Sequence, residues 1–288
     1  MRALRFAARF GLTIEEKTAA ALRENRELLR NISPERIFSE LKGILCARGA
    51  GEMLLAFPEV FFVILPELAP MRGFDTRRPQ NHCWDVWGHT AHAVDAIAPE
   101  SVLRLTMLFH DSGKPETFRY DAQARFGRFP GHPAVSARIA DAALRALRCD
   151  NAARERVVTL VENHEMRTGH GKKDLRRLLA KIGEKNMRDL LLVRRADAAA
   201  HAPEAAARLT ALADEDERIL HEITAERGCL HVKDLAVSGN DLLALGLKPG
   251  AAVGETLSWL LDLVLDEEVP NEKGALLAAA RKEMQTHE

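Results

Sequence analysis

SVLRLTMLFHDSGK, residues 101–114, decides how the chain is read. Leu103, Met107 and His110 recur at helical spacing, so a histidine with Asp111 beside it stands where an inward apolar stripe should continue. Three further stretches do the same: Val86, His89, Ala93 and Ile97; Val157, Leu160, Val161 and His164; Leu190, Val193 and Asp197. A single histidine on such a face is ordinarily a hydrogen-bonded core residue. Two inward carboxylates alongside three inward histidines are harder to dismiss, because burying Asp111 and Asp197 unpaired would cost several kcal/mol each. A shared divalent cation is the better explanation. The imidazole and carboxylate mixture suits Mn, Fe, Co, Ni or Zn rather than calcium, with Mg as the remaining candidate.

Composition agrees with helices. Hydrophobic residues make up 47% of the 288 and aromatics only 5%. Ala, Leu, Arg and Glu dominate, all strong helix formers with little β-branched competition. An all-α fold is expected, divided into two or three helical modules. Cys46, Cys83, Cys149 and Cys229 lie far apart, which gives neither a zinc knuckle nor a disulfide framework and fits a reducing compartment. No apolar run approaches bilayer length, and Val60 to Leu65 is closed off by Pro58 and Pro66. The opening MRALRFAARFGL is Arg-rich but lacks the apolar stretch of a secretory signal, so a cytoplasmic protein without membrane contact is expected.

Along the chain, an opening helix is expected to run to about Leu29. Ser33 can cap and Pro34 can start a second helix that ends near Gly49 and Gly51. The stretch MRGFDTRRPQNH reads as a basic connector. The expected modules are residues 1–70, 71–202 and 203–288. The last holds a charged helix over Glu204 to Arg227 and a glycine turn over Leu245 to Gly254 that leads into a further helix. Charge is uneven. From Arg167 to Arg195 there are ten Lys/Arg against three Asp/Glu, whereas Glu204 to Glu288 has eight against seventeen. Lys172, Lys173, Arg176 and Arg177 are the densest cations, and they either face phosphates or form the solvated face of a helix.

His89, then HDSGK at 110–114, His132 in GHP, His164 in ENHE and Asp197 in RRAD together resemble the HD phosphohydrolase superfamily. HCWDVWGHTAHAVD, FRYDAQARFGRFPGHPAVSARIADAAL and SGNDLLALGLKPGAAVGETL are also similar to bacterial CCA-adding tRNA nucleotidyltransferases and poly(A) polymerases that carry an HD domain. This likeness runs over essentially the whole chain. It implies an HD-domain helical bundle flanked by a helical neck and body and a C-terminal tail. His89, His110, Asp111 and Asp197 would hold one ion, and His132 and His164 would add a second bridged by Asp111. His110, Asp111 and Lys114 would be catalytic, with Lys114 neutralising a phosphate oxygen, and Arg128 could act similarly. His82 and Asp85 would orient substrate or support the ligands. By its place outside the apolar stripes, His201 reads as an ordinary surface residue.

The resemblance further implies hydrolysis of 2′,3′-cyclic or terminal phosphates on a small molecule or an RNA end, and a tail that grips the tRNA elbow. Two departures qualify it. Ser112 stands where the family has an aliphatic residue, and no Asp-x-Asp pair follows a Gly-rich loop, so MRALRFAARFG resembles the interior of the family's neck. Nucleotide addition is therefore not expected from this chain alone. The leading expectation is a metal-dependent phosphohydrolase. The alternatives are a headless tRNA-binding module with a structural metal site, served by a separate nucleotidyltransferase head, and a fragment of a full CCA-adding enzyme.

Overall fold

The computed structural model describes residues 1–76, 83–123, 125–165, 171–226 and 228–286. The chain is all-α, and its one sheet among the described residues is a two-stranded hairpin. The opening is not a single helix. α1 (Arg2–Phe10) stops where Gly11 takes a left-handed φ of 64° and returns its amide to Ala7 O. α2 (Glu16–Glu24) restarts on Glu15, whose carboxylate accepts from Thr18 N. α3 (Pro34–Leu45) begins at the expected proline, but the Ser33 hydroxyl makes no capping bond, and the helix ends before Gly49. Gly51 lies inside the next helix, α4 (Ala50–Ala56). α5 (Pro58–Ile64) and a 3-10 turn over Pro66–Met71 complete this region.

The site-bearing helices follow. α6 (Val86–Ala96) is capped by Asp85, which accepts from Gly88 N at 2.6 Å and also from Gly73 N. Trp87 ties α6 to α4 by donating to Leu54 O. α7 (Ser101–Phe109) ends at the His-Asp dipeptide, and the one-turn α8 (Lys114–Thr117) leads into β1 (Arg119–Asp121) and β2 (Phe126–Arg128). The strands pair antiparallel, with Tyr120 opposite Gly127. α9 (His132–Ala146) and α10 (Asn151–Asn163) come next, the latter capped by Asp150 accepting from Ala153 N. α11 (Gly171–Ala199) is interrupted at Gly183, and α12 spans Pro203–Ala225. α13 (Gly239–Ala244), α14 (Ala251–Leu265) and α15 (Lys273–Thr286) close the chain.

The chain forms two units, one of residues 1–166 with 188–213 and the other of 167–187 with 214–288. The first buries Leu4, Leu41, Ile44, Leu54, Phe61, Leu68, Leu103, Leu105 and Phe109 completely or nearly so. Each such side chain contributes roughly 1.5–3 kcal/mol of apolar transfer energy. The second packs Leu235, Val237, Leu242, Leu260, Leu276 and Ala280 around Cys229. No helix among the described residues is long and apolar enough to cross a membrane.

One glycine fixes how the His-Asp turn meets α9. A Cβ on Gly113 would lie 2.6 Å from His132 O and 2.8 Å from Ser136 N, while its amide donates to Ser136 Oγ at 2.8 Å. Gly113→Ala must push α9 away and should cost about 1–3 kcal/mol, as overpacking does. Gly254 in α14 has nothing within 4 Å of its Cβ position, so Gly254→Ala should stabilise by roughly 0.5–1 kcal/mol through helix propensity. Urea midpoints of the two variants should move in opposite directions.

Candidate metal centre

The four expected stripes converge in the first unit. His89, His110, His132 and His164 are buried, arriving from α6, the end of α7, the first turn of α9 and the end of α10. Asp111 is 1% exposed, whereas the Asp197 side chain from α11 keeps 29% exposure, which gives the centre one solvent-facing side. Each imidazole turns Nδ1 to a backbone carbonyl: His89 to Ala200 O, His110 to Met107 O, His132 to Phe129 O and His164 to Val161 O, at 2.7–3.2 Å. A carbonyl can only accept, so Nδ1 carries a proton in all four and Nε2 is turned toward the centre. His89 Nε2 lies 3.4 Å from His110 Nε2, and His132 Nε2 lies 3.2 Å from His164 Nε2. Nitrogens this close share either a proton or a cation between them.

The carboxylates complete two pockets. His89, His110, Asp111 and Asp197 form the first, with His89 Nε2 at 2.8 Å from Asp197 Oδ1 and His110 Nε2 at 3.4 Å from Asp111 Oδ2. Asp111 Oδ1 forms the second, 3.3 Å from His132 Nε2 and 3.7 Å from His164 Nε2. Ligands roughly 2.1 Å from one ion stand about 3.0–4.2 Å apart, so both clusters have the dimensions and donor chemistry of a divalent site. Electrostatics point the same way. Burial would lower the pKa of His110, but Asp111 and Asp197 hold it up at about 10, so without an ion its Nε2 carries a proton that a bound cation would replace. Burial would raise Asp111, but His110 and Lys114 keep it well below the carboxylate range. Asp197, against the same burial, is held down by His110 and His89. Burial drives His164 down and keeps its Nε2 free to ligate near neutral pH.

Other expected residues fall differently. Lys114 is buried with Nζ 2.6 Å from Asp111 Oδ2, packed over the Phe129 ring. Asp85 holds α6 in place as its cap and is not among the clustered donors. Arg128 is exposed and pairs with Asp121 at 2.9 Å on the hairpin. His82 lies outside the described residues. His201, expected from its sequence position to be a surface residue, instead lays its ring against His89 at 4.8 Å between centroids and donates from Nδ1 to Asp197 O. Its spacing of four residues from Asp197 was the available signal. The anchoring carbonyls had none, because backbone atoms leave no mark on residue type.

The basic cluster is ion-paired. Lys172 pairs with Glu226, Lys173 with Asp266 at 2.8 Å, Arg176 with Glu267 at 2.7 Å and Glu226 at 3.1 Å, and Arg177 through two nitrogens with Asp266 at 2.5–2.6 Å. The positive excess counted along the sequence is offset by acids more than fifty residues later in the chain.

A family described as "tRNA nucleotidyltransferase domain 2 putative" matches residues 134–280, and one described as "probable RNA and SrmB-binding site of polymerase A" matches residues 11–71. A CC-adding tRNA nucleotidyltransferase of Thermus thermophilus is 32% identical over 96% of this chain and 64% of its own length. An A-adding tRNA nucleotidyltransferase of Deinococcus radiodurans is 30% identical over 91% of this chain and 62% of its own length. The chain thus spans less than two thirds of these curated relatives. The crystal structure of the Bacillus stearothermophilus CCA-adding enzyme in complex with CTP superposes with a TM-score of 0.66 over 99% of this chain and 61% of that one, at 19% identity, which shows a shared fold.

These relatives overturn the phosphohydrolase expectation and favour the alternatives, which place the chain with the CCA-adding enzymes. Both curated relatives are named for nucleotidyl transfer. The physical reason for the error is general: a His/Asp donor set specifies an ion and leaves the reaction open.

The ion-pair cluster yields a graded expectation. The Arg176 side chain is 10% exposed between two carboxylates, and that of Arg177 is 46% exposed. Arg176→Ala should therefore destabilise the second unit by about 1–2 kcal/mol through lost stem packing and hydrogen bonds, and Arg177→Ala by no more than about 1 kcal/mol. The Lys172 hydrogen bond holds Glu226 below its ordinary pKa, and Lys173 and Arg177 hold Asp266 low against burial. Depressed carboxylates give stability that is complete above the unfolded values and fades as pH falls through the folded ones. Denaturation of the two variants from pH 7 down to pH 3 should show their melting points converging on the wild type.

Proposed function

Because the chain belongs to the tRNA nucleotidyltransferase family, matching its domain over residues 134–280, we propose that it is the helical, tRNA-holding portion of an enzyme that adds nucleotides to the 3′ end of tRNA. The observation that carries this reading is that match, together with an RNA-binding description over residues 11–71. The relatives named for CC addition and A addition support it over nearly the whole chain. Such work belongs in the cytoplasm. Full-length native protein, given tRNA that lacks its CCA end, should incorporate CTP or ATP, and the two nucleotides tested separately will tell CC addition from A addition. Absence of both incorporation and tRNA binding would contradict the reading.

With the cluster at 172–177 neutralised, phosphate contacts are better assigned to the first helices. Arg2, Arg9 and Arg36 are exposed with no carboxylate partner among the described residues. Arg2 and Arg36 border one cavity of about 340 Å³, and Arg5 and Arg9 border another of about 350 Å³. Each phosphate neutralised adds roughly 0.7–0.9 to the log–log salt slope. Changing all three exposed arginines to Glu should weaken tRNA binding and flatten that slope by roughly 2 to 3, as read by filter binding across a salt series. An unaltered slope would move the contacts elsewhere.

We also assign one divalent ion to His89, His110, Asp111 and Asp197, and a second to Asp111, His132 and His164. The clustering of the Nε2 and carboxylate oxygen atoms and the donor chemistry support both. When bound, the ions supply positive charge where five helices meet, joining α6, α7, α9, α10 and α11. Binding to the folded state alone stabilises by about 2.7 kcal/mol at a hundredfold excess over Kd. Chelator-treated protein should therefore melt several degrees higher after Mn²⁺ or Co²⁺ is added, and Asp111→Asn should abolish the gain. Identical melting with and without metal would remove the assignment.

A further inference from the structure

Lys114 stands beside the first pocket. It is a buried ammonium 2.6 Å from Asp111 Oδ2, and that oxygen also faces His110 Nε2 at 3.4 Å and His89 Nε2 at 3.7 Å. An ion in the first pocket would thus share a carboxylate oxygen with a fixed cation. Resting on the metal assignment above, we propose that Lys114 is a built-in competing cation that holds the affinity of the first pocket low, making its ion exchangeable.

The opposite role, a lysine placed to grip a phosphate, fits the geometry less well. Nζ is turned onto Asp111 and packed over the Phe129 ring at 5.5 Å, with little of the side chain exposed. Three consequences follow from sharing Oδ2. The dication and the ammonium repel at a separation of a few ångströms, in surroundings that screen less than water. The ammonium also draws electron density from the oxygen that the ion needs. Finally, Oδ1 faces His132 and His164 on the other side of the carboxylate, so the penalty falls on the pocket of His89, His110 and Asp197. Lys114 acts here as a positioning residue that tunes occupancy. Occupancy of the first pocket would then follow the surrounding metal concentration.

The test is calorimetric titration of Mn²⁺ into chelator-treated protein, with no substrate present. Lys114→Met removes the charge and should tighten the weaker step at least roughly tenfold, since even in high dielectric the repulsion of a dication by an ammonium about 4 Å away exceeds that factor. Lys114→Gln keeps a donor to Oδ2 without the charge and should tighten it likewise, serving where the Met variant is unstable. Lys114→Arg keeps the charge and should stay near wild type. Neutral variants that fold but bind Mn²⁺ no more tightly than wild type would overturn the proposal while leaving the metal assignment intact. Failure of wild type and variants alike to bind Mn²⁺ would remove the assignment, and the proposal with it.

Discussion

The first unit depends on a constraint at one carboxylate. Asp111 is buried at the end of α7, and both of its oxygens face nitrogens: Lys114, His110 and His89 around Oδ2, His132 and His164 around Oδ1. A buried charge without compensation costs several kcal/mol, so the helices that bring these nitrogens must all be in place for α7 to end where it does. Much of the local architecture serves that end. Asp85 caps α6 so that His89 enters the first turn of the helix, Gly113 lets α9 approach closely enough to deliver His132, and four carbonyls fix the imidazole tautomers.

The helical class and the convergence of His89, His110, His164 and Asp197 were legible because both rest on periodicity, whereas His132 was expected only from the family resemblance. An inward stripe ending in His110 or Asp197 identifies itself wherever apolar residues recur at helical spacing. Helix ends were less legible. The break at Gly11 was visible as a glycine but was outweighed by the apolar content on either side, and Gly51 looked like a terminator although α4 continues through it. Ser33 had the right residue type for a cap and makes no capping bond. Residue type sets what a side chain can do, and the neighbouring backbone decides whether it does so.

Longer-range effects were legible least. The charge of Lys172, Lys173, Arg176 and Arg177 is offset by Glu226, Asp266 and Glu267, which a local count assigns to a different, acidic region. His201 looked peripheral because its contact with His89 joins residues more than a hundred positions apart. The reaction class was the largest error, and it came from treating ligand chemistry as reaction chemistry. Nothing in imidazole and carboxylate spacing separates an ion that holds helices together from one that activates water. Kinship over nearly the whole chain, with enzymes named for nucleotidyl transfer, corrected it.

The buried histidines and aspartates are assigned here to hold divalent metal. X-ray absorption at the Mn or Co edge, on protein supplied with one equivalent of that ion and washed free of excess, tests it most directly. The expected spectrum has nitrogen and oxygen neighbours at roughly 2.0–2.2 Å, with the outer-shell scattering of at least two imidazole rings. A spectrum of water oxygens alone, or no retained metal, would contradict it.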